Sequence, residues 1–126
     1  MSTGGSWPAV AERSCLEVTV DPTTPDTAIV RLVGRLDLLT CSDVRERLSG
    51  LVEDGHRQLV LDLQGVSFMD SSGLGSLIGG LKSARLAGGD LRLARPPEQT
   101  AMILELTNLN RVLVSYSTIE EALASF

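Results

Sequence analysis

An abrupt change of hydrophobic pattern within residues 59–75 constrains the fold more than any other part of the chain. Leu59 to Leu63 is an apolar run of strand length. Asp70-Ser71-Ser72 follows it, and from Leu74 onward the apolar residues recur at helical spacing. A buried strand that leads through a short connection into an amphipathic helix is therefore predicted.

Two serines stand at the predicted start of this helix, where backbone N–H groups lack intrahelical partners and the macrodipole is positive. Simple capping explains one polar residue here, and Gly73 permits a tight turn. Capping does not need three polar residues in a row, and an exposed serine hydroxyl is accessible to a kinase. The pattern thus leaves two interpretations: a plain helix cap, or a phosphate acceptor at Ser71.

The composition favours one compact domain that does not bind nucleic acid. The chain has 126 residues, of which 43% are hydrophobic and only 3% aromatic, so the core is expected to be aliphatic. A net charge of −5 with scattered basic residues argues against a nucleic-acid partner. No apolar run reaches the length of a membrane span, so no membrane contact is expected.

The cysteines and the N-terminal segment indicate a cytoplasmic protein. Cys15 and Cys41 lack metal-type spacing, and with one histidine in the chain a zinc site is not expected. Two free thiols fit a reducing compartment. Residues 1–13 are predicted to be a flexible tail and not a signal peptide, with residues 14–126 forming the domain. We expect Trp7 in that tail to dock on the domain edge, with a partner contact as the alternative.

Periodicity predicts a mixed α/β fold. Strands are expected at 16–20, 27–33, 59–63, 91–94 and 112–116, separated by turns rich in Gly and Pro. The order ββαβαβαβα implies an N-terminal antiparallel pair, followed by parallel strands with crossover helices.

The predicted helices each carry one apolar stripe. The first is capped by Thr40 or Ser42 and ended by Gly55, the second spans 71–87 with Leu77 inward, and the third spans 98–107. In the third helix Ile103, Leu104 and Leu106 are expected to face inward. Thr118 with Glu121 predicts a capping box for a short terminal helix.

The motifs of common enzymes are absent from the sequence. Residues 73–79 do not match G-x-G-x-x-G, and no Walker lysine is in place. His56 is the only histidine and G-x-S-x-G is missing, so the usual parts for hydrolysis are lacking. We expect no enzyme activity, no catalytic residue, no cofactor and no metal. Gly75, Gly79 and Gly80 are predicted to allow close packing of the helix on a neighbour.

A second candidate residue follows the second strand. If the second and third strands are parallel neighbours, their carboxyl ends lie together, and Asp37 shares one edge of the sheet with Ser71. We expect the Asp37 carboxylate to be exposed at this strand end.

Residues 68–75, Phe-Met-Asp-Ser-Ser-Gly-Leu-Gly, preceded by residues 59–63, resemble the anti-sigma factor antagonists of bacteria, which are small STAS domains. Gly34-x-Leu36-Asp37 and Gly88-Gly89-Asp90-Leu91 match that family at the expected separations. The resemblance covers residues 16–126 and implies a STAS-type mixed sheet.

The resemblance implies a partner-switching protein. In its unphosphorylated form such an antagonist binds an anti-sigma factor that is also a serine kinase, and thereby frees a sigma factor. Phosphorylation of the first serine of the motif, here Ser71, switches binding off, and a phosphoserine phosphatase reverses it. The positions implied in partner binding are Asp37, Asp70, Ser72, Gly73, Leu74 and Gly75.

The sequence departs from the family pattern beside Asp37. Arg35 stands where an acidic residue is common, and Leu38-Leu39 replaces a more polar pair. Both departures bear on which partner is bound. Two other readings stay open: a sensory or scaffold STAS domain in a larger signalling complex, and a binder of a nucleotide or lipid at the same edge.

Overall fold

Five strands form one mixed sheet in the computed structural model, which describes residues 16–126. The strands are β1 Leu16–Pro22, β2 Thr27–Leu36, β3 Gln58–Met69, β4 Asp90–Ala94 and β5 Ser115–Tyr116. The helices are α1 Cys41–Glu53, α2 Ser71–Leu86, α3 Glu98–Leu106 and α4 Ile119–Ala124, with a 3-10 turn at Leu109–Arg111. The predictions for Trp7, Cys15 and the tail fall outside the described residues.

The strands lie in chain order, β1 to β5. β1 pairs with β2 in antiparallel fashion, and every later pair is parallel. The predicted order of elements and the mixed sheet are therefore confirmed.

The core is aliphatic, as the composition indicated. Helices α1, α2 and α3 contribute to a large cluster on one face of the sheet, where Leu59, Leu61 and Leu77 are fully buried. The other face carries a smaller cluster beneath α4, built on Ile29, Val60, Ala94 and Ala122. Because β3 is buried against helices from both sides, its apolar run is nearly continuous.

The third strand is longer than predicted. The sequence pattern ended it at Leu63, but β3 continues to Met69. Its register with β2 shifts twice, so that β3 carries extra residues relative to its partner. Such β-bulges break the alternation that sequence patterns detect. A side chain at Gly65 would meet Val33 Cγ2 at 2.8 Å, so glycine is required where the two strands approach.

Two expectations for the C-terminal third are wrong. Leu106 was expected inward but is 77% exposed, because Leu104 two residues earlier faces the core and residues two apart on a helix do not share a face. The last strand was expected over 112–116 but contains only Ser115 and Tyr116. The 3-10 turn at 109–111 precedes it, and β4 offers only Leu93 and Ala94 as partners. One half of the predicted capping box is confirmed, since the Thr118 hydroxyl accepts a hydrogen bond from Glu121 N.

Leu77 and Leu86 provide a matched pair on α2, one fully buried and the other 90% exposed. Leu77→Ala should lower the free energy of unfolding by about 2–5 kcal/mol, because it empties a core site. Leu86→Ala should change it by less than about 0.5 kcal/mol. Urea unfolding of both variants measures the difference. Equal, small losses in the two would contradict the buried placement of Leu77.

Candidate functional site: the edge at the ends of β2 and β3

The carboxyl ends of β2 and β3 lie side by side. Leu36 pairs with Met69 at the last step of the ladder, and Asp70 N donates to Leu36 O at 3.3 Å. The segment after each strand therefore starts from the same point of the sheet. We call residues Asp37–Thr40 and Asp70–Gly75 together the rim. The expectation that Asp37 and Ser71 share one edge is confirmed.

The start of α2 presents Ser71 to solvent. Asp70 has extended backbone angles, and its carboxylate caps the helix by accepting a hydrogen bond from Gly73 N at 2.9 Å. Ser71 is then the first helical residue and is exposed, whereas Ser72 is half-buried. Ser76 is fully buried and donates its hydroxyl to Gly73 O. Among these three serines Ser71 is the most accessible, and it lies at the positive end of the helix.

The glycines of the rim differ in what surrounds them. A Cβ on Gly73 would collide with the backbone carbonyl oxygen of Leu36, so this glycine lets α2 start against the end of β2. A Cβ on Gly75 would meet nothing within 4 Å. Farther along α2, Gly80 lies against Leu48 of α1. The prediction of close helix packing is thus confirmed at Gly80 and at Gly79, where a Cβ would lie 3.3 Å from Arg45 Nε of α1. It is wrong at Gly75, where the space beside the helix is open. Leu74 between the rim glycines is buried.

Asp37 is tied into its own loop. The expectation of an exposed carboxylate is wrong, since the side chain is 14% exposed. Its Oδ1 accepts from Leu39 N at 3.1 Å, and its Oδ2 accepts from Arg35 Nε at 3.2 Å. A short polar side chain that bonds to the backbone two residues on is a usual way to close a turn. The guanidinium of Arg35 also stacks over the ring of Phe68, with 4.4 Å between its central carbon and the ring centre.

Thr40 stands at the cap position of α1 but does not cap the helix. Its hydroxyl donates to Arg35 O at 2.9 Å and accepts from Asp37 N at 3.0 Å. The predicted capping role is therefore wrong, because the loop uses this buried hydroxyl instead.

Gln99 is a rim neighbour that the sequence pattern did not reveal. β4 ends at Ala94, which leaves the last residues of β3 without a partner strand on that side. The Gln99 side chain fills the gap: its Oε1 accepts from Met69 N and its Nε2 donates to Met69 O, both at 3.3 Å. The amide holds the start of α3 against the residue before Asp70. A glutamine 30 positions away in sequence gives no local signal of this pairing.

An ionic cluster occupies the other face of the sheet. Asp62 is buried, and its carboxylate accepts two hydrogen bonds from Arg95 and lies 3.5 Å from Arg31 Nε. Burial would raise the pKa of Asp62, but the hydrogen bonds from Arg95 and Gln64 N, with the charges of Arg95 and Arg31, bring the pKa below its usual value. The cluster lies on the sheet face that carries Ile29 and Val60, and we expect it to stabilise the fold.

A groove of about 810 Å³ lies between β1 and α1. Its floor is apolar, with Val18, Val20 and Leu51, and Leu39 of the rim forms part of its wall. Asp43, Glu46, Asp54 and Arg47 also line it, so that carboxylates outnumber guanidinium groups.

Within residues 16–126, no three His, Cys, Asp or Glu side chains are placed to hold a metal ion. Over the same residues, the structure contains no helix with the length and apolar character needed to span a membrane.

The fold and the rim define a class of protein. The STAS domain family matches residues 19–122, and the chain belongs to that family. Its relatives include the anti-sigma-B factor antagonist of Staphylococcus aureus, 29% identical over 99 residues that cover 78% of this chain and 92% of the relative. The antagonist of the same name from Bacillus subtilis is 33% identical over 84 residues, which cover 67% of this chain and 76% of the relative. The resemblance to anti-sigma factor antagonists is confirmed.

Solved structures agree with this assignment. The anti-sigma factor antagonist SpoIIAA in its unphosphorylated form superposes with a TM-score of 0.74 at 25% identity, over 85% of this chain and 93% of SpoIIAA. An anti-sigma factor antagonist from Mycobacterium paratuberculosis gives a TM-score of 0.75 at 25% identity, over 87% of this chain and 92% of that one. The STAS-type sheet predicted from the sequence is therefore confirmed.

Gly73 and Gly75 lie within one turn of α2 but differ in their surroundings. Gly73 is packed against Leu36, whereas the space beside Gly75 is open. Gly73→Ala should lower the free energy of unfolding by about 1–3 kcal/mol, because its methyl group meets a backbone carbonyl that cannot move aside. Gly75→Ala should raise it by up to about 1 kcal/mol, because alanine favours the helix and the space is open. Urea unfolding of both variants measures these two changes in the free energy of unfolding. A destabilised Gly75→Ala would show that the space beside Gly75 is occupied.

The Asp62 carboxylate should make the free energy of unfolding depend on pH. Because its folded-state pKa is lowered, its contribution is fully present above the unfolded pKa of about 3.9 and is lost as the pH falls through the folded-state pKa. Asp62→Asn should therefore cost about 1–3 kcal/mol at pH 7 and progressively less below about pH 4. Urea unfolding as a function of pH measures the gap between variant and wild type.

The control for this series is Asp26→Asn, whose carboxylate is 59% exposed and 3.8 Å from Arg57. At pH 7 it should change the free energy of unfolding by less than about 1 kcal/mol. A gap between wild type and Asp62→Asn that stays constant down to pH 2 would contradict the ionic role of Asp62.

Proposed function

We propose that this chain is an anti-sigma factor antagonist that works by partner switching. In its unphosphorylated form it binds an anti-sigma factor with serine kinase activity and frees a sigma factor. Phosphorylation of Ser71 by that kinase ends the complex, and a phosphoserine phosphatase restores it. The role is regulatory and not enzymatic, and it belongs in the cytoplasm, where sigma factors act.

The observation that carries the proposal is the exposure of Ser71 at the start of α2. It lies within the Asp-Ser-Ser-Gly-Leu segment by which the chain resembles the antagonists. The antagonists from Staphylococcus aureus and Bacillus subtilis support the same role. A kinase acceptor must be accessible, and Ser71 meets this requirement better than the half-buried Ser72.

The charge of a phosphate gives the switch its mechanism. Phosphoserine adds about −1.5 to −2 at pH 7. At a helix N-terminus such a charge is stabilised by about 0.3–1 kcal/mol, although the neighbouring carboxylate of Asp70 opposes part of this gain. In a closely packed interface the same charge loses its water without gaining a partner. The domain should therefore stay folded while the complex dissociates.

The remaining rim residues shape this surface. Asp70 caps α2, Gly73 and Leu74 anchor its first turn, and Ser72 and Gly75 border Ser71. We propose that the open space beside Gly75 lets the partner approach the helix closely. A nucleotide in the groove beside the rim is disfavoured, since Asp43, Glu46 and Asp54 would repel its phosphates.

Ser71 should be the only residue phosphorylated when the chain is incubated with its anti-sigma factor kinase and ATP. Ser72→Ala should be phosphorylated as wild type is, whereas Ser71→Ala should gain no phosphate. Intact mass and phosphopeptide mapping of the three proteins provide the measurement. Phosphate on Ser72 with Ser71 unmodified would contradict the assignment.

A further inference from the structure

Two consecutive leucines of the rim are exposed to solvent. Leu38 is 71% exposed and Leu39 is 78% exposed. Single apolar side chains on a surface are common and need no explanation. A consecutive pair within the rim is different, because the rim also carries the residue whose modification would control binding.

The loop holds these leucines outward by hydrogen bonds. Asp37 Oδ1 receives Leu39 N, and Cys41 N donates to Asp37 O at 2.9 Å. The buried hydroxyl of Thr40 joins Asp37 N to Arg35 O. Turning the leucines toward the core would break this network, so their exposure is built into the loop.

The position of the pair links it to the switch. Leu36 O accepts from Asp70 N, so the loop begins at the point where the connection to α2 is fastened. Ser71 and the two leucines therefore belong to segments that leave the sheet at the same point, and one partner surface can reach both. Leu39 in addition borders the groove between β1 and α1, which extends the apolar surface toward Val18.

The surrounding charges identify the kind of partner. The carboxylates of Asp43, Glu46 and Asp54 outnumber the Arg47 guanidinium in the same groove, so an anionic membrane or a nucleic acid would be repelled. A protein surface fits better if it places an aliphatic depression against the leucines and a basic side chain opposite the α1 carboxylates only.

We propose that Leu38 and Leu39 are the apolar contact through which this chain binds its anti-sigma factor, and that Asp37 and Thr40 are positioning residues for the two leucines. This inference rests on the proposed function. It assigns Asp37 an indirect role, because its carboxylate is already engaged by Leu39 N and Arg35 Nε.

The first test replaces both leucines. The probe is the purified anti-sigma factor that phosphorylates the wild-type chain, and binding is measured by calorimetric titration. Leu38→Ser with Leu39→Ser should weaken binding at least about tenfold without lowering the unfolding midpoint. Leu86→Ser, at the far end of α2, is the matched control and should bind as wild type does.

The second test separates positioning from direct contact. Asp37→Asn keeps a side-chain oxygen for Leu39 N, whereas Asp37→Ala removes it. We expect Asp37→Asn to bind within about threefold of wild type and Asp37→Ala to lose about tenfold. Equal losses in both variants would mean that the charge of Asp37, and not its hydrogen bond with Leu39 N, supports binding, which overturns its role in positioning the leucines.

The outcomes distinguish this inference from the function on which it rests. Wild-type binding that survives the double leucine substitution overturns the inference and leaves the proposed function intact. If no anti-sigma factor binds the wild-type chain, both are overturned.

Discussion

The parallel pairing of β2 with β3 is the constraint on which the rim depends. It ends at Leu36 and Met69, and the hydrogen bond from Asp70 N to Leu36 O fastens the next residue to the same point. Gly73 then allows α2 to begin directly against Leu36. Gln99 supports the opposite side of Met69. Most of these contacts join backbone atoms, so the position of Ser71 follows largely from the sheet.

A site built on backbone contacts suits the proposed switch. A phosphate at the first residue of α2 meets a helix end that already favours negative charge, so no refolding is needed to accommodate it. Hydrogen bonds of Asp37 and Thr40 hold the β2–α1 loop that carries the leucines, which should reduce the entropy lost on binding. Modification can then change the affinity of the rim while the core beneath it stays as it is.

Local patterns predicted the elements of this fold, but long-range contacts decided their ends. The helical spacing from Leu74 to Ala84 correctly placed α2, since periodicity reports burial directly. The sequence pattern ended β3 too early, at Leu63, because two bulges break the alternation of the strand before Met69. The exposure of Ser71 could be predicted from the motif. The burial of most of the Asp37 side chain could not, since its partners are set by the loop closure at Thr40. Gln99 could not be predicted because its partner is distant in sequence.

The most direct test compares the stoichiometrically phosphorylated chain with the unphosphorylated one in amide NMR spectra, each with and without the anti-sigma factor. The account predicts that phosphorylation shifts only resonances of the rim and its immediate neighbours, leaves the core amides unchanged, and abolishes the further shifts that the partner causes. Phosphorylated protein that still binds, or that loses its core resonances, would contradict a switch based on charge in a folded domain.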